Sequence, residues 1–339
     1  MRLRTVLATA TAVLAAASSL TAAGTANSAE NRACSPSVAV EGFSDALDKT
    51  TYEGIFVGNF SALATDADGS LAAVSDRSSL FRLDPRTLQP RAVVPLADEQ
   101  GRALDSEGLA VDRDGTYLVS SETEPAVRRH GRDGAILDSL PVPDALRVAP
   151  AGRARANQTF EGLTLLPGGR TLIASMEYAI SGDTPGLVRL QTWRRHGADF
   201  RLSAQYAYRT DDGLGVPEIQ ALADGRLLVL ERGFTAGVGN TVRLYLADPR
   251  HATDTSGVEE LTGQDDVRLV RKTLLADLVN CPSLGATAKQ PQPNPLLDNI
   301  EAMTVTGHGP HGRLRVLLAS DDNQNAAQIT RFYRLTVRP

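Results

Sequence analysis

The stretch Ser106-Glu107-Gly108-Leu109-Ala110-Val111-Asp112-Arg113-Asp114-Gly115-Thr116-Tyr117-Leu118-Val119-Ser120-Ser121-Glu122 holds two short apolar runs joined by an Asp-Gly turn and bracketed by acids. Short runs rich in Leu, Val and Tyr about a Gly turn read as a β-hairpin. The phrase recurs. Phe160-Glu161-Gly162-Leu163 leads through Leu166 to a Pro167-Gly168-Gly169 turn, and Thr171 to Met176 returns to Glu177. A third copy runs from Glu218 to Leu222, turns at Asp224-Gly225 and ends Leu230-Glu231-Arg232. The series opens with Ser61 in the Glu position, turns at Asp68-Gly69 and closes on Ser75-Asp76-Arg77. It ends with Asn299-Ile300-Glu301, a longer Gly307 to Gly312 turn, and Ser320-Asp321-Asp322-Asn323.

Repetition at this period marks a radial all-β architecture, since a four-stranded propeller blade takes about 40 to 50 residues. The copies begin at 61, 107, 161, 218 and 301, so the first three intervals suit one blade each. The last interval, 83 residues, is too long for one blade. A degenerate blade is expected around Val267 to Val279, giving a six-bladed β-propeller. The strand Ser37 to Val40 and the segment Ile329 to Val337 are expected to share the final blade and close the ring, which removes exposed sheet edges. An open sandwich of the same hairpins is the competing architecture.

A residue held at one phrase position in every blade forms a ring at the channel mouth. Glu107, Glu161, Glu218 and Glu301 open the phrase; Asp76, Glu122, Glu177, Glu231 and Asp321 close it. Converging carboxylates repel one another unless protons or cations neutralise them. Oxygen-only donors favour a hard ion, so all nine are candidate ligands for Ca²⁺. Glu161, Glu218 and Glu301 are also candidates for catalytic work. Each acid has a plainer reading as a partner for backbone amides at the start of a strand. Arg77 and Arg232, each following a closing acid, are candidates to clamp an anionic substrate, with an Arg–carboxylate pair that stabilises blade contacts as the plainer reading. His308 and His311 lie in a Gly-rich turn that reads better as solvated than as metal-binding.

The first 29 residues carry Arg2 and Arg4, an apolar run from Val6 to about Leu20, and small residues suited to signal peptidase. They read as a signal peptide, with residues 30–339 as a secreted, extracellular propeller domain. No later apolar stretch approaches the roughly 20 residues of a membrane span. Net charge is −5, and Lys49, Lys272 and Lys289 are the only lysines. That balance argues against a nucleic-acid partner; a small anionic or ester substrate and a monomeric state are expected. Cys34 and Cys281 are the only cysteines. In an oxidising compartment a disulfide is the natural reading, with two free thiols as the alternative. The chain contains no Gly-x-Ser-x-Gly elbow, His-Glu-x-x-His or phosphate-cradling Gly loop.

Taken in order, Ser75-Asp76-Arg77, Ser106-Glu107-Gly108-Leu109, Phe160-Glu161-Gly162-Leu163 with Met176-Glu177, Leu230-Glu231-Arg232-Gly233, and Asn299-Ile300-Glu301 with Ser320-Asp321-Asp322-Asn323 resemble the phytase-like β-propeller family. The resemblance spans about Phe60 to Arg334. It implies hydrolysis of phosphate or other esters and, by analogy with calcium-dependent phytases, channel carboxylates that hold Ca²⁺ while cationic side chains grip phosphate. The chain departs from those phytases in its poverty of lysine, so the phosphate-gripping residues do not carry over. The Glu-Gly opening also looks like metal-binding lactonase propellers, and a non-catalytic, ligand-binding propeller is a further alternative.

Overall fold

The Asp-Gly turns are where the chain reverses: the amides of Gly69 and Gly115 bond back to the carbonyls of Asp66 and Asp112, both at 2.9 Å. The computed structural model describes residues 32–339; the expected signal peptide lies outside the described residues. The chain opens with β1 (Val38–Ser44) and a small hairpin, β2 (Thr50–Tyr52) and β3 (Ile55–Val57). Blade one is β4 (Phe60–Thr65), β5 (Leu71–Ser75), β6 (Ser79–Leu83) and β7 (Pro90–Pro95). Blade two is β8 (Ser106–Val111), β9 (Tyr117–Ser121), β10 (Ala126–His130) and β11 (Ile136–Ser139). Blade three is β12 (Phe160–Leu165), β13 (Thr171–Met176), β14 (Leu187–His196) and β15 (Asp199–Arg209). Blade four is β16 (Gly215–Ala221), β17 (Leu227–Thr235), β18 (Gly239–Asp248) and β19 (Arg271–Asp277). Blade five is β20 (Ile300–His308), β21 (Leu314–Ser320) and β22 (Phe332–Val337), completed by β1.

The chain is therefore a five-bladed β-propeller, not a six-bladed one. The segment expected to be a hidden blade is β19, which pairs antiparallel with β18 from Arg243↔Asp277 to Asp248↔Arg271 as the outer strand of blade four. One apolar run has no hairpin partner of its own, so its backbone groups are satisfied on an existing edge. The remaining length of that interval is loop. Residues 249–270 run over blade three, where the amides of Thr255 and Val270 bond the carbonyls of Gln205 and Ala207. Leu261 is buried there against Leu187 and Ala207. The insertion thus covers the outer edge strand of its neighbour.

Closure follows the expected route. β1 pairs with β22 from Val38↔Val337 to Ser44↔Phe332, so the two ends of the described chain complete one sheet. The inner strands β4, β8, β12, β16 and β20 each lie against the next, and β20 lies against β4. Apolar layers fill the wedges between blades, including Phe60, Phe81 and Phe332 between blades one and five and Phe160, Trp193 and Tyr208 around blade three.

Cys34 and Cys281 form a disulfide across 247 residues. It joins the lead into β1 to the chain leaving β19, and both sulfurs are buried with Val38, Val40 and Leu278. Closing so long a loop removes conformational entropy from the unfolded chain worth on the order of 5 kcal/mol. Cys34→Ser/Cys281→Ser is accordingly expected to lower the free energy of unfolding by about 2–5 kcal/mol in a denaturant titration. An unchanged midpoint would show that β1 docks without its covalent tie.

Candidate metal and substrate site at the channel mouth

Four inner strands begin with a β-bulge. The pairing register shifts between Phe60 and Ala62, between Ser106 and Leu109, between Phe160 and Leu163, and between Ile300 and Ala302. Inside these bulges lie Ser61, Glu107 with Gly108, Glu161 with Gly162, and Glu301. A bulge re-aims a side chain that regular alternation would send elsewhere. The closing acids sit one step beyond the second strand, where their backbone amides bond the residue preceding the inner strand. Asp76 bonds Asn59 at 3.1 Å, Glu122 bonds Asp105 at 2.9 Å, Glu177 bonds Thr159 at 2.7 Å and Asp321 bonds Asn299 at 2.9 Å. The phrase therefore recurs because one hydrogen-bonded closure positions an opening and a closing acid together.

The glycine after the opening acid has its own cause. A Cβ on Gly162 would lie 2.5 Å from the Ile219 amide nitrogen, and one on Gly108 would lie 2.3 Å from the Glu161 carbonyl oxygen. The next inner strand occupies that space, so Glu-Gly is needed wherever two strands meet this closely.

Blade four departs from the pattern. Its bulge falls between Gly215 and Glu218 and holds Val216 and Pro217, so Glu218 stands in regular register opposite Leu230. Glu218, expected in the ring and among the catalytic candidates, does not line the mouth. It is buried between blades and accepts hydrogen bonds from the amides of Ile219 at 2.9 Å and Leu163 at 3.3 Å. Glu231 also lies elsewhere. It accepts from the Tyr208 hydroxyl at 2.7 Å, from Lys272 at 2.6 Å and from the Asp211 amide at 2.8 Å. Matching this copy by its acids sets it two residues out of step, because the bulge, invisible in sequence, decides which residue faces the mouth. In place of a carboxylate, blade four presents Arg232, whose Nη2 donates to Glu301 at 2.6 Å and lies 3.4 Å from Glu177.

The mouth is a cavity of about 610 Å³ lined by eight carboxylates, seven side-chain amides, two arginines and two aromatic rings. Asp76, Glu107, Glu122, Glu161, Glu177, Glu301 and Asp321 are all there, with Arg77 and Arg232. Sequence reading missed Asp105, Tyr178, Phe234, Asn240 and Asn299, which also line it. Asp105 and Asn299 hold the position before the inner strand, a signal that the repeated closure would have disclosed. No histidine is among the lining residues.

Two carboxylate triads, Asp105–Glu107–Glu122 and Glu122–Glu161–Glu177, each offer three oxygens within 4.8 Å of one another and share Glu122. All their members except Asp105 are buried. Burial raises the pKa values of Glu107, Glu122, Glu161 and Glu177, and neighbouring carboxylate charge adds to it. Glu107 and Glu161 are pushed well above the carboxylate range, with Glu301 the main charged neighbour of the former and Glu107 of the latter. Glu122 rises to about 7 and Glu177 to about 8. Asp76 rises to about 6, again chiefly by burial. Asp321 is driven well up, and burial raises Glu301 against the opposing pull of Arg232. Burial disfavours the charge on Arg232 itself, but Glu301 and Glu177 outweigh it and hold the guanidinium charged. Such a cage is stable with protons aboard or with a cation in their place. Buried, oxygen-only, closely grouped donors fit a hard divalent ion.

A family model described as phytase-like, esterase-like activity of phytase, matches residues 55–324. The chain belongs to that family. An uncharacterized secreted protein of Arthroderma benhamiae is 29% identical over 106 residues, 24% of this chain and 21% of that protein. The chain thus spans about a fifth of the length of the curated relative it matches. Among solved structures, a gluconolactonase from Xanthomonas campestris aligns with 80% of this chain and 71% of its own at 15% identity and a TM-score of 0.40. Virginiamycin B lyase from Staphylococcus aureus aligns with 82% and 66% at 10% identity and a TM-score of 0.38. Likenesses this distant say nothing about chemistry. The formed disulfide fits an oxidising compartment, and among the described residues no helix is long and apolar enough to cross a membrane.

Two outcomes follow for stability. Glu122 and Glu177 keep protons in the folded state up to about pH 7 and 8, whereas the unfolded chain releases them near its ordinary value of about 4.3. The folded state binds more protons, so stability falls as pH rises between those limits. Thermal unfolding in chelator should show Tm dropping from pH 5 to 8.5, and Ca²⁺ should raise Tm far more at pH 8 than at pH 5. Glu122→Gln/Glu177→Gln should flatten the chelator curve; an equally steep curve would place the linked protons elsewhere. Separately, Gly162→Ala forces inner strands apart and should cost about 1–3 kcal/mol by denaturant unfolding, against a near-neutral effect if blade four simply shifts.

Proposed function

We propose that the chain is an exported, Ca²⁺-dependent hydrolase of ester or phosphoester bonds. The observation that carries this reading is the pair of largely buried carboxylate triads sharing Glu122 near Arg232. The lining includes no Ser, Thr, Cys or His, so water and carboxylates are the main groups it offers for hydrolysis. Ca²⁺ bound at the triads would supply Lewis acidity toward an ester oxygen and a more acidic water.

The chain's own groups divide the remaining work. Asp105, Glu107, Glu122, Glu161 and Glu177 would hold the ion. Glu161 and Glu301, which line the cavity, are the candidates for taking a proton from the attacking water. Arg232, oriented by Glu301 and Glu177, directs a guanidinium at developing negative charge, and Arg77, largely exposed beside Asp76, meets substrate at the rim. A small ester substrate and a monomer acting outside the cytoplasm complete the reading, which the Cys34–Cys281 bond supports.

Metal analysis of the purified protein should find tightly held Ca²⁺. An aryl acetate, an aryl phosphate, phytate and a lactone, each assayed with Ca²⁺ and with chelator, should reveal metal-dependent turnover of at least one. Glu122→Gln should reduce that turnover at least 100-fold, on the order of 3 kcal/mol of transition-state stabilisation. Absence of metal-dependent turnover on all four would refute the hydrolase.

A further inference from the structure

The two sides of the mouth differ in chemistry. Carboxylates come from blades one, two, three and five, whereas blade four contributes Arg232, Phe234 and Asn240. Asn240 is only 1% exposed, lines the cavity, and neither atom of its side-chain amide has a hydrogen-bond partner. Its backbone is held, the amide nitrogen donating to Gln292 at 2.8 Å, so the side chain is kept in place while its polar atoms stay free. A buried amide left unpaired costs stability unless something else completes it. Phe234 lines the same cavity with 55% of its surface exposed, and Tyr178 stands beside Glu177 on the neighbouring blade.

Seven amides around one cavity offer donors and acceptors together. Hydroxyl groups need both; phosphates need only donors. Aromatic faces add an apolar surface that a ring's C–H face can cover. Charge disfavours the alternative. Eight carboxylates face two arginines, and Arg232 is already engaged by Glu301 and Glu177. A multiply phosphorylated ligand therefore meets carboxylates on most sides of the cavity, whereas a neutral ligand carries no charge for them to oppose.

We propose that this mouth recognises a neutral polyhydroxylated ring, a sugar or sugar-derived ester, held by Asn240 and Phe234 of blade four. The inference rests on reading the cavity as the functional site and narrows its substrate class. Its test is binding, so it stands apart from turnover. Ligand-observed NMR of the full exported chain in Ca²⁺ should detect members of a panel of neutral hexose and pentose mono- and disaccharides, and should rank glucose 6-phosphate and myo-inositol hexakisphosphate below them. Asn240→Ala should weaken sugar binding about tenfold, the worth of roughly one hydrogen bond. Phe234→Ala, at an exposed position that folding does not depend on, should weaken it comparably. Preference for the hexakisphosphate, no binding by any panel sugar, or unchanged affinity in the Phe234 variant would each overturn the proposal. Sugar binding without hydrolysis of any ester would remove the hydrolase and leave this recognition intact; turnover of an aryl acetate without sugar binding would do the reverse.

Discussion

Five inner strands converge on one axis, and the space between them sets the terms for everything at the mouth. Where β12 meets β16 there is no room for a side chain at Gly162, and where β8 meets β12 there is none at Gly108. The backbone bulges at the same points. Close approach and bulging together aim Glu107 and Glu161 inward and seal them from water. Tight packing thus creates the electrostatic problem of the site, a group of carboxylates that low dielectric forbids from being charged together.

The outer parts of the blades resolve their buried charges differently. Asp66 accepts from Arg132 at 2.7 and 3.0 Å and from the Tyr117 hydroxyl at 2.7 Å, tying blade one to blade two. Asp112, its counterpart in the next copy, accepts from Arg195 of blade three at 2.6 and 2.7 Å and from Arg129 at 2.7 Å. Arg331, fully buried, donates to Asp45 beyond β1 at 2.6 and 2.8 Å. In each case the charge is matched by a guanidinium, so the carboxylate is a strut. At the mouth only Arg232 and the largely exposed Arg77 stand against eight acids. That imbalance distinguishes a site from a structural network, because struts are complete within the protein and the mouth is not.

Arg232 also shows how a repeat protein departs from its own rule. All five inner strands open on a bulge, but in blade four it holds Val216 and Pro217 in place of an acid, and this blade brings Arg232 and Asn240 to the cavity. The acid it lost from the mouth did not vanish. Glu218 bonds amides of two adjacent inner strands, the plainer role any of these acids could have had, and Glu231 joins Lys272, Tyr208 and Asp211 away from the axis.

Sequence alone determined the hairpin phrase, the propeller class and closure through the first and last strands, since alternation, Gly turns and period report local backbone preferences directly. It also identified seven acids of the mouth, because one closing hydrogen bond places them at a recurring phrase position. Blade number was decided only in three dimensions: β19 reads as a strand from its residues, but which edge it joins depends on long-range pairing. Glu218, Glu231 and Arg232 were likewise sorted by tertiary structure, for a bulge adds a residue to one strand without leaving a mark in composition. Asn240 and Phe234 carry no local signal at all. They matter because β17 and β18 end at the mouth, a fact of packing and not of pattern.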